Sequence, residues 1–254
     1  MRVHGLLEDV DAQKFNWTDM PALPTLQGRR SLPAHHEKVD DMAINPWTAI
    51  GYAIRSAHIV GDTKGAAVRL DNSIAEDETR GVKTLYCGRA QSNDGSHNVY
   101  TITAEPGAHG EQVYWLPWGQ NPMAAISALN NSGATFFLTS EFSGCYFVGC
   151  NGVVMHTAAG YKQNQGHPLA HALAEMQEWG EELDQDTSQR FVLAPFSEGT
   201  RPGVTDVYGT AGTAHRSVVM GWKQPGTPPQ WCFAYQDLTM TTSRFGIWRR
   251  LRPQ

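Results

Sequence analysis

Apolar residues recur along the chain at helical spacing in some stretches and in short runs in others. Trp47, Ile50 and Ile54 fall on one face at three- and four-residue intervals, directly after Pro46, which suits the first position of a helix. A second, longer amphipathic pattern begins at Pro168 and keeps four glutamates away from its apolar face. These two patterns predict the main helices.

Short runs rich in β-branched and aromatic residues, bounded by Gly and Pro, predict strands. The predicted strands are 84–88, 98–104, 112–116, 135–139, 191–194, 217–222, 231–235 and 245–251. A short helix is predicted over 121–129, and the charged segment 66–82 is predicted to be a loop. Together these elements predict an α+β fold with antiparallel or mixed sheets and about three flanking helices.

The hydrophobic pattern changes near residue 41. Residues 1–40 are rich in Pro, His and charge and lack sustained periodicity, which predicts a partly ordered N-terminal extension. Residues 41–254 carry all of the predicted elements. With 254 residues, of which 41% are hydrophobic, the chain is long enough for one large domain, and a single domain over 41–254 is the prediction.

Composition excludes several classes of function. The net charge of -5 gives no basic surface for nucleic acid, and no apolar run approaches the ~20 residues that cross a bilayer. The N-terminus has acidic residues where a Sec signal peptide needs an apolar core, so no Sec signal is expected. Four cysteines without a CxxC pair predict reduced thiols rather than a disulfide framework or a structural metal site.

The pair Asn151–Gly152, set between apolar β-formers, predicts a two-residue hairpin turn. This turn places Phe147 opposite His156, so that Cys145 becomes a diagonal neighbour of His156 on the same face, roughly 7 to 8 Å away between backbones. A four-residue loop would instead place Cys145 directly opposite His156. In either register Cys150 points to the other face, which argues against a disulfide with Cys145.

A thiol beside an imidazole is the basis of nucleophilic catalysis at acyl and amide carbons. Cys145 would be the nucleophile and His156 its general base, while the Thr139 hydroxyl could accept a hydrogen bond from the second ring nitrogen. Ser143 and Gly144 predict a tight bend whose N–H groups could hold an oxyanion. The alternative is that Cys145 is a small buried hydrophobe, as many cysteines are.

The pattern Thr139-x5-Cys145, with Ser143 and Gly144 before the cysteine and His156 after it, resembles the bacterial glutamine deamidase toxins, the group of cytotoxic necrotizing factor and Burkholderia lethal factor. Those toxins carry Ser-Gly-Cys, usually preceded by Leu, where this chain has Phe142.

The resemblance implies a β-sandwich core and conversion of one host-protein glutamine to glutamate without cofactor or metal. By position, the catalytic residues would be Cys145, His156 and Thr139. The implied target is a translation initiation helicase or a Rho-type GTPase, reached in the host cytosol by a non-Sec route, and the implied form is a monomer.

Other residues offer competing interpretations. His167, His171 and Glu175 have a spacing that can bind zinc, but His167 lies just before a helix and is expected to cap it. Trp115 and Trp118 could anchor a protein partner, although core packing is the expectation for both.

Two carboxylates near the motif were also weighed. Glu141 is expected to be an exposed loop carboxylate, with tuning of the thiol as the alternative. Asp206 could orient His156, but nothing in the sequence brings it there. A non-catalytic binding module with Cys145 buried, and a Cys-His hydrolase that cleaves a peptide or isopeptide bond, both remain alternatives to a deamidase.

Overall fold

The computed structural model describes residues 45–60, 66–75, 77–91, 98–118, 123–150, 152–157, 166–182, 190–211, 215–224, 230–239 and 244–251. The predicted extension, residues 1–40, lies outside these ranges. The helices are α1 (Pro46–Val60), α2 (Asn72–Ala75), α3 (Ile126–Asn131) and α4 (Pro168–Glu182), with a 3₁₀ helix at Phe196–Glu198. The predicted α+β class is confirmed.

About half of the described residues lie in two sheets. The strands are β1 (Ala67–Leu70), β2 (Gly81–Gln91), β3 (Asn98–Thr103), β4 (Gly110–Leu116), β5 (Met123–Ala125), β6 (Phe136–Thr139), β7 (Tyr146–Cys150), β8 (Val153–Thr157), β9 (Phe191–Pro195), β10 (Asp206–Tyr208), β11 (His215–Gln224), β12 (Gln230–Thr239) and β13 (Arg244–Arg250). The larger sheet has the order β1-β3-β2-β4-β6-β11-β12-β13, and the smaller has β10-β9-β7-β8-β5. Both sheets are mixed, because β1–β3, β4–β6 and β9–β10 pair in parallel.

The buried side chain of Gln236 brings the two edges of the larger sheet together. Its Oε1 accepts from the backbone of Val68 on β1 at 2.9 Å, and its Nε2 donates to Gly246 on β13 at 3.0 Å. Trp248 also donates its indole N–H to the Ala66 carbonyl at 2.6 Å. These bonds curl the sheet towards a barrel.

In the described part of the chain, three apolar clusters form the core. The first lies between α1 and the larger sheet and buries Trp47, Ile50 and Ile54, as the helical pattern predicted. The second takes side chains from both sheets, and the third lies between the smaller sheet and α4. The second cluster matters most here, because the strands that carry the candidate chemistry meet around it.

Two sequence predictions are wrong. The segment 66–82 is not a loop: it contains β1, which gains its hydrogen bonds from β3, and α2, whose Ile74 is fully buried. The helix predicted over 121–129 begins only at Ile126, because residues 123–125 pair with β8 as the edge strand β5. In both places a long-range strand pairing overrides the local pattern.

Candidate active site

The hairpin formed by β7 and β8 has the register that the Asn–Gly turn predicted. Phe147 pairs with His156, and Cys150 pairs with Val153. Gly152 has φ +68°, the left-handed conformation that a two-residue turn requires. The alternative four-residue loop is therefore wrong, and His156 lies on the strand next to the one that Cys145 precedes.

Thr139 and His156 join the two sheets through one buried hydrogen bond. Thr139 ends β6 of the larger sheet, His156 belongs to β8 of the smaller one, and Thr139 Oγ1 lies 2.9 Å from His156 Nδ1. Both residues are fully buried. The partnership expected from the sequence is thus present in the structure. If Nδ1 carries the ring proton, the Thr139 hydroxyl accepts a hydrogen bond from Nδ1–H, and the lone pair of Nε2 can then act as a base.

The imidazole of His156 is held neutral by its surroundings. Phe142 stacks on the ring with centroids 4.0 Å apart and an interplanar angle of 22°. Complete burial lowers the pKa of His156 to about 3, because the charged form would lose its hydration. Its Nε2 has no hydrogen-bond partner among the described residues. A buried ring nitrogen without a partner is uncommon, and it suits a group that exchanges a proton during a reaction.

Cys145 ends a short turn, which we call the thiol turn (residues 143–145). Gly144 has φ +116°, a backbone conformation that residues with a Cβ rarely adopt. Cys145 is half-buried, forms no disulfide and packs against the second apolar cluster, the same cluster whose Phe142 covers His156. Thiol and imidazole therefore border one cluster, although no hydrogen bond joins Cys145 Sγ to His156 Nε2 among the described atoms.

Tyr208 fastens the thiol turn and was not anticipated from the sequence. Its hydroxyl accepts from the Gly144 N–H at 2.7 Å and donates to the Cys145 carbonyl at 2.9 Å. Burial raises the pKa of Tyr208 above its ordinary value, so the hydroxyl keeps the proton that it donates. The Gly144 amide, predicted to hold an oxyanion, is thus occupied by Tyr208 in this structure. Ser143, the other residue of that prediction, has an exposed side chain.

The segment between Thr139 and the thiol turn is anchored to the larger sheet. Phe142 forms a two-bond bridge with Ser217 of β11, at 2.7 and 3.0 Å. Glu141 binds Arg216 at 3.1 Å and accepts from the backbone of Leu70 at 3.4 Å. Its side chain is only 18% exposed, so the prediction of an exposed loop carboxylate is wrong. These contacts hold Phe142 where it covers His156.

Among the described residues, neither Asp206 nor the two tryptophans hydrogen-bonds to the His156 ring. Asp206 accepts from the Thr205 hydroxyl at 3.2 Å, and among the described residues the hydrogen-bond partner of His156 is Thr139. Trp115 is fully buried, as expected, whereas Trp118 is 53% exposed, contrary to the prediction of core packing.

His167 caps α4, as predicted: its Nδ1 accepts from the Leu169 N–H at 3.2 Å. Among the described residues, no group of three His, Cys, Asp or Glu side chains is arranged to hold a metal ion. In the same part of the chain, no helix is long and apolar enough to cross a membrane.

No protein-family model matches the chain, and a search of curated proteins finds no match either. The functional argument therefore rests on the residues of the site.

Proposed function

We propose that this chain is a cysteine-dependent amidohydrolase, and specifically a protein-glutamine deamidase of the toxin or effector type. The observation that carries the proposal is the buried bond between Thr139 and His156, on the strand paired with the one that Cys145 precedes. A threonine that fixes an imidazole, whose other nitrogen is unpartnered and whose strand pairs with the one that follows the thiol, supports nucleophilic catalysis.

The chemistry would proceed in two steps. Cys145 Sγ attacks the carboxamide carbon of a glutamine side chain while His156 Nε2 takes the thiol proton, and His156 then returns that proton to the departing ammonia. A thioester remains. Water, deprotonated by the same nitrogen, hydrolyses the thioester to glutamate and restores the thiol. The sum is one amide plus one water giving one carboxylic acid plus ammonia, with no redox partner or metal.

Several finer points belong to the same proposal. The β-sandwich core that the resemblance implies is supported by the second apolar cluster, which takes side chains from both sheets. Action as a monomer on a host translation helicase or Rho-type GTPase, after delivery by a non-Sec route, rests on the resemblance alone. The short motif Thr139-x5-Cys145 supports it, with Phe142 in place of the usual leucine.

The experiment is deamidation of candidate host proteins, followed by peptide mass spectrometry for glutamine-to-glutamate conversion and by ammonia release. Activity should disappear in Cys145→Ser. The matched control is Cys232→Ser, which removes another half-buried thiol and should keep full activity. Product analysis also separates deamidation from cleavage of a peptide or isopeptide bond, which the same thiol and imidazole could perform. If Cys145→Ser retains the activity of the parent, the proposal is wrong.

One observation favours a second candidate, a non-catalytic binding module. His156 is fully buried and does not hydrogen-bond the thiol, as would be expected of a purely structural histidine. Iodoacetamide labelling separates the two functions. A deamidase requires Cys145 to react at near-neutral pH and to lose that reactivity in His156→Ala, whereas a module would label only on unfolding.

A further inference from the structure

Large apolar side chains that remain exposed are few in the described part of the chain. They are Tyr52, Ile59, Val82, Trp118 and Phe196. Tyr52 and Ile59 belong to α1, which packs on the larger sheet through the first apolar cluster, whereas the candidate site borders the second. The positions of Trp118 and Phe196 are different, because each follows a strand hydrogen-bonded to a strand of the candidate site.

Trp118 lies beyond the end of β4, on the side of the site formed by the larger sheet. β4 runs parallel to β6, and their last residues, Leu116 and Thr139, are register partners. The backbone of Ser140 still bonds to the Leu116 carbonyl at 3.4 Å. Two neighbouring parallel strands end at the same edge of a sheet. Trp118, two residues past Leu116 and 53% exposed, therefore lies at the edge where Thr139 meets His156.

Phe196 occupies the corresponding place on the smaller sheet. β9 pairs antiparallel with β7, with Leu193 opposite Phe147, so the end of β9 runs towards the residue that precedes β7, which is Cys145. Tyr208 of β10 confirms this placement: it pairs with Pro195 and its hydroxyl reaches the Cys145 carbonyl. Phe196 follows Pro195 directly and is 49% exposed.

We infer that Trp118 and Phe196 are substrate-binding residues that flank the thiol on two sides. The inference rests on the proposed function and adds a preference for the residues that flank the reacting glutamine. The substrate is a polypeptide with large apolar side chains on both sides of the reacting glutamine. Each aromatic ring covers one of those side chains, and burial of a leucine-sized group is a substantial source of binding free energy. A small free amide reaches neither ring and gains nothing from them.

The inference is tested with reagents that bind Cys145 whether or not deamidation follows. Two peptides of equal length carry a chloromethyl ketone in place of the glutamine carboxamide, one flanked by leucines and the other by serines. In both, the Cys145 sulfur displaces chloride and forms a thioether, which mass spectrometry locates. Iodoacetamide, which has no flanking groups, serves as the reference reagent.

The parent protein should react with the leucine peptide about tenfold faster than with the serine peptide. Trp118→Ala and Phe196→Ala should each lower this preference to about threefold without changing the iodoacetamide rate, because each ring covers one of the two leucines. Tyr52→Ala, which truncates an exposed aromatic residue on α1, is the matched control and should keep the preference.

The outcomes separate this inference from the proposed function. Equal rates for the two peptides, or a preference that survives both alanine variants, overturn the inference alone. If neither iodoacetamide nor the peptides label Cys145 in the folded parent, the proposed nucleophile is wrong and the inference falls with it.

Discussion

Lowering the pH from 7 to 5 should destabilise the native protein through one side chain, His156. In the unfolded chain its imidazole takes up a proton near the ordinary pKa of 6.5, whereas in the folded protein burial lowers the pKa to about 3. Protons therefore bind preferentially to the unfolded state between these values. The stability that the neutral ring contributes is complete above pH 6.5 and is lost as the pH falls towards 3.

The magnitude follows from the size of that pKa shift. Each pH unit inside the window costs about 1.4 kcal/mol, so the fall from pH 7 to pH 5 costs about 2 kcal/mol. Hydrogen bonds and nearby cations lower the pKa values of Asp71, Asp77 and Glu198. Their contributions to the free energy of unfolding are also lost on acidification, but only as the pH falls below the ordinary pKa of a carboxyl group. Burial raises the pKa of Asp237, which acts in the opposite direction, so the contribution of His156 is read from the difference between the parent and a variant without the imidazole.

Urea unfolding of the parent and of His156→Leu at pH 7 and pH 5 measures the difference. The parent should lose about 2 kcal/mol more than the variant between the two values. His109→Asn, which changes an exposed histidine at a positive φ that asparagine tolerates, is the control and should follow the parent. NMR titration of the imidazole in the parent gives a reading that needs no variant. A ring that titrates near pH 6 in the folded protein, or equal pH dependence in the parent and His156→Leu, refutes the reasoning.

Three further substitutions have expected outcomes. Thr139→Val removes the partner of His156 Nδ1 in a dry site and should cost about 1 to 3 kcal/mol of unfolding free energy; an unchanged value would contradict the buried bond. Tyr208→Phe keeps the ring but frees the thiol turn, and should cost about 1 to 2 kcal/mol in urea unfolding and alter iodoacetamide labelling of the turn, whereas unaltered labelling would show that the turn holds without it. Gly149→Ala would place a Cβ 2.3 Å from the Phe191 ring, so thermal unfolding should show a loss of about 1 to 3 kcal/mol, and a neutral result would mean that the ring moves freely.

The sequence predicted the parts of the fold that short-range geometry determines. The hairpin register follows from Asn151–Gly152 because a two-residue turn leaves one way to pair the flanking strands. The apolar faces of α1 and α4 were predicted because each repeats at helical spacing within a single element. β1 and β10 were missed, since each is a short strand that gains its bonds from a parallel partner outside its own segment, and neither shows alternation of its own.

In the candidate site, too, some contacts could be predicted from the sequence and others depend on the tertiary fold. The hydrogen bond between Thr139 and His156 was predicted because a catalytic imidazole needs a group that orients its ring. In the structure it forms because β6 of one sheet lies against β8 of the other. The Tyr208 contacts could not have been anticipated, because they depend on β9 separating β10 from β7. Nor does the sequence reveal that the ring is fully buried under Phe142, and that burial determines its charge.

A neutral, buried imidazole limits the way in which a thiol can be activated. A preformed thiolate–imidazolium pair needs a charged His156, and complete burial opposes that charge. The thiol proton should then move to Nε2 in the same step in which sulfur bonds to carbon. Alkylation of Cys145 at near-neutral pH should therefore be slower in heavy water, because the proton is being transferred from sulfur to nitrogen in the transition state. Equal rates in light and heavy water, together with loss of labelling in His156→Ala, would instead require that His156 becomes charged before the attack and that water enters the site to stabilise it.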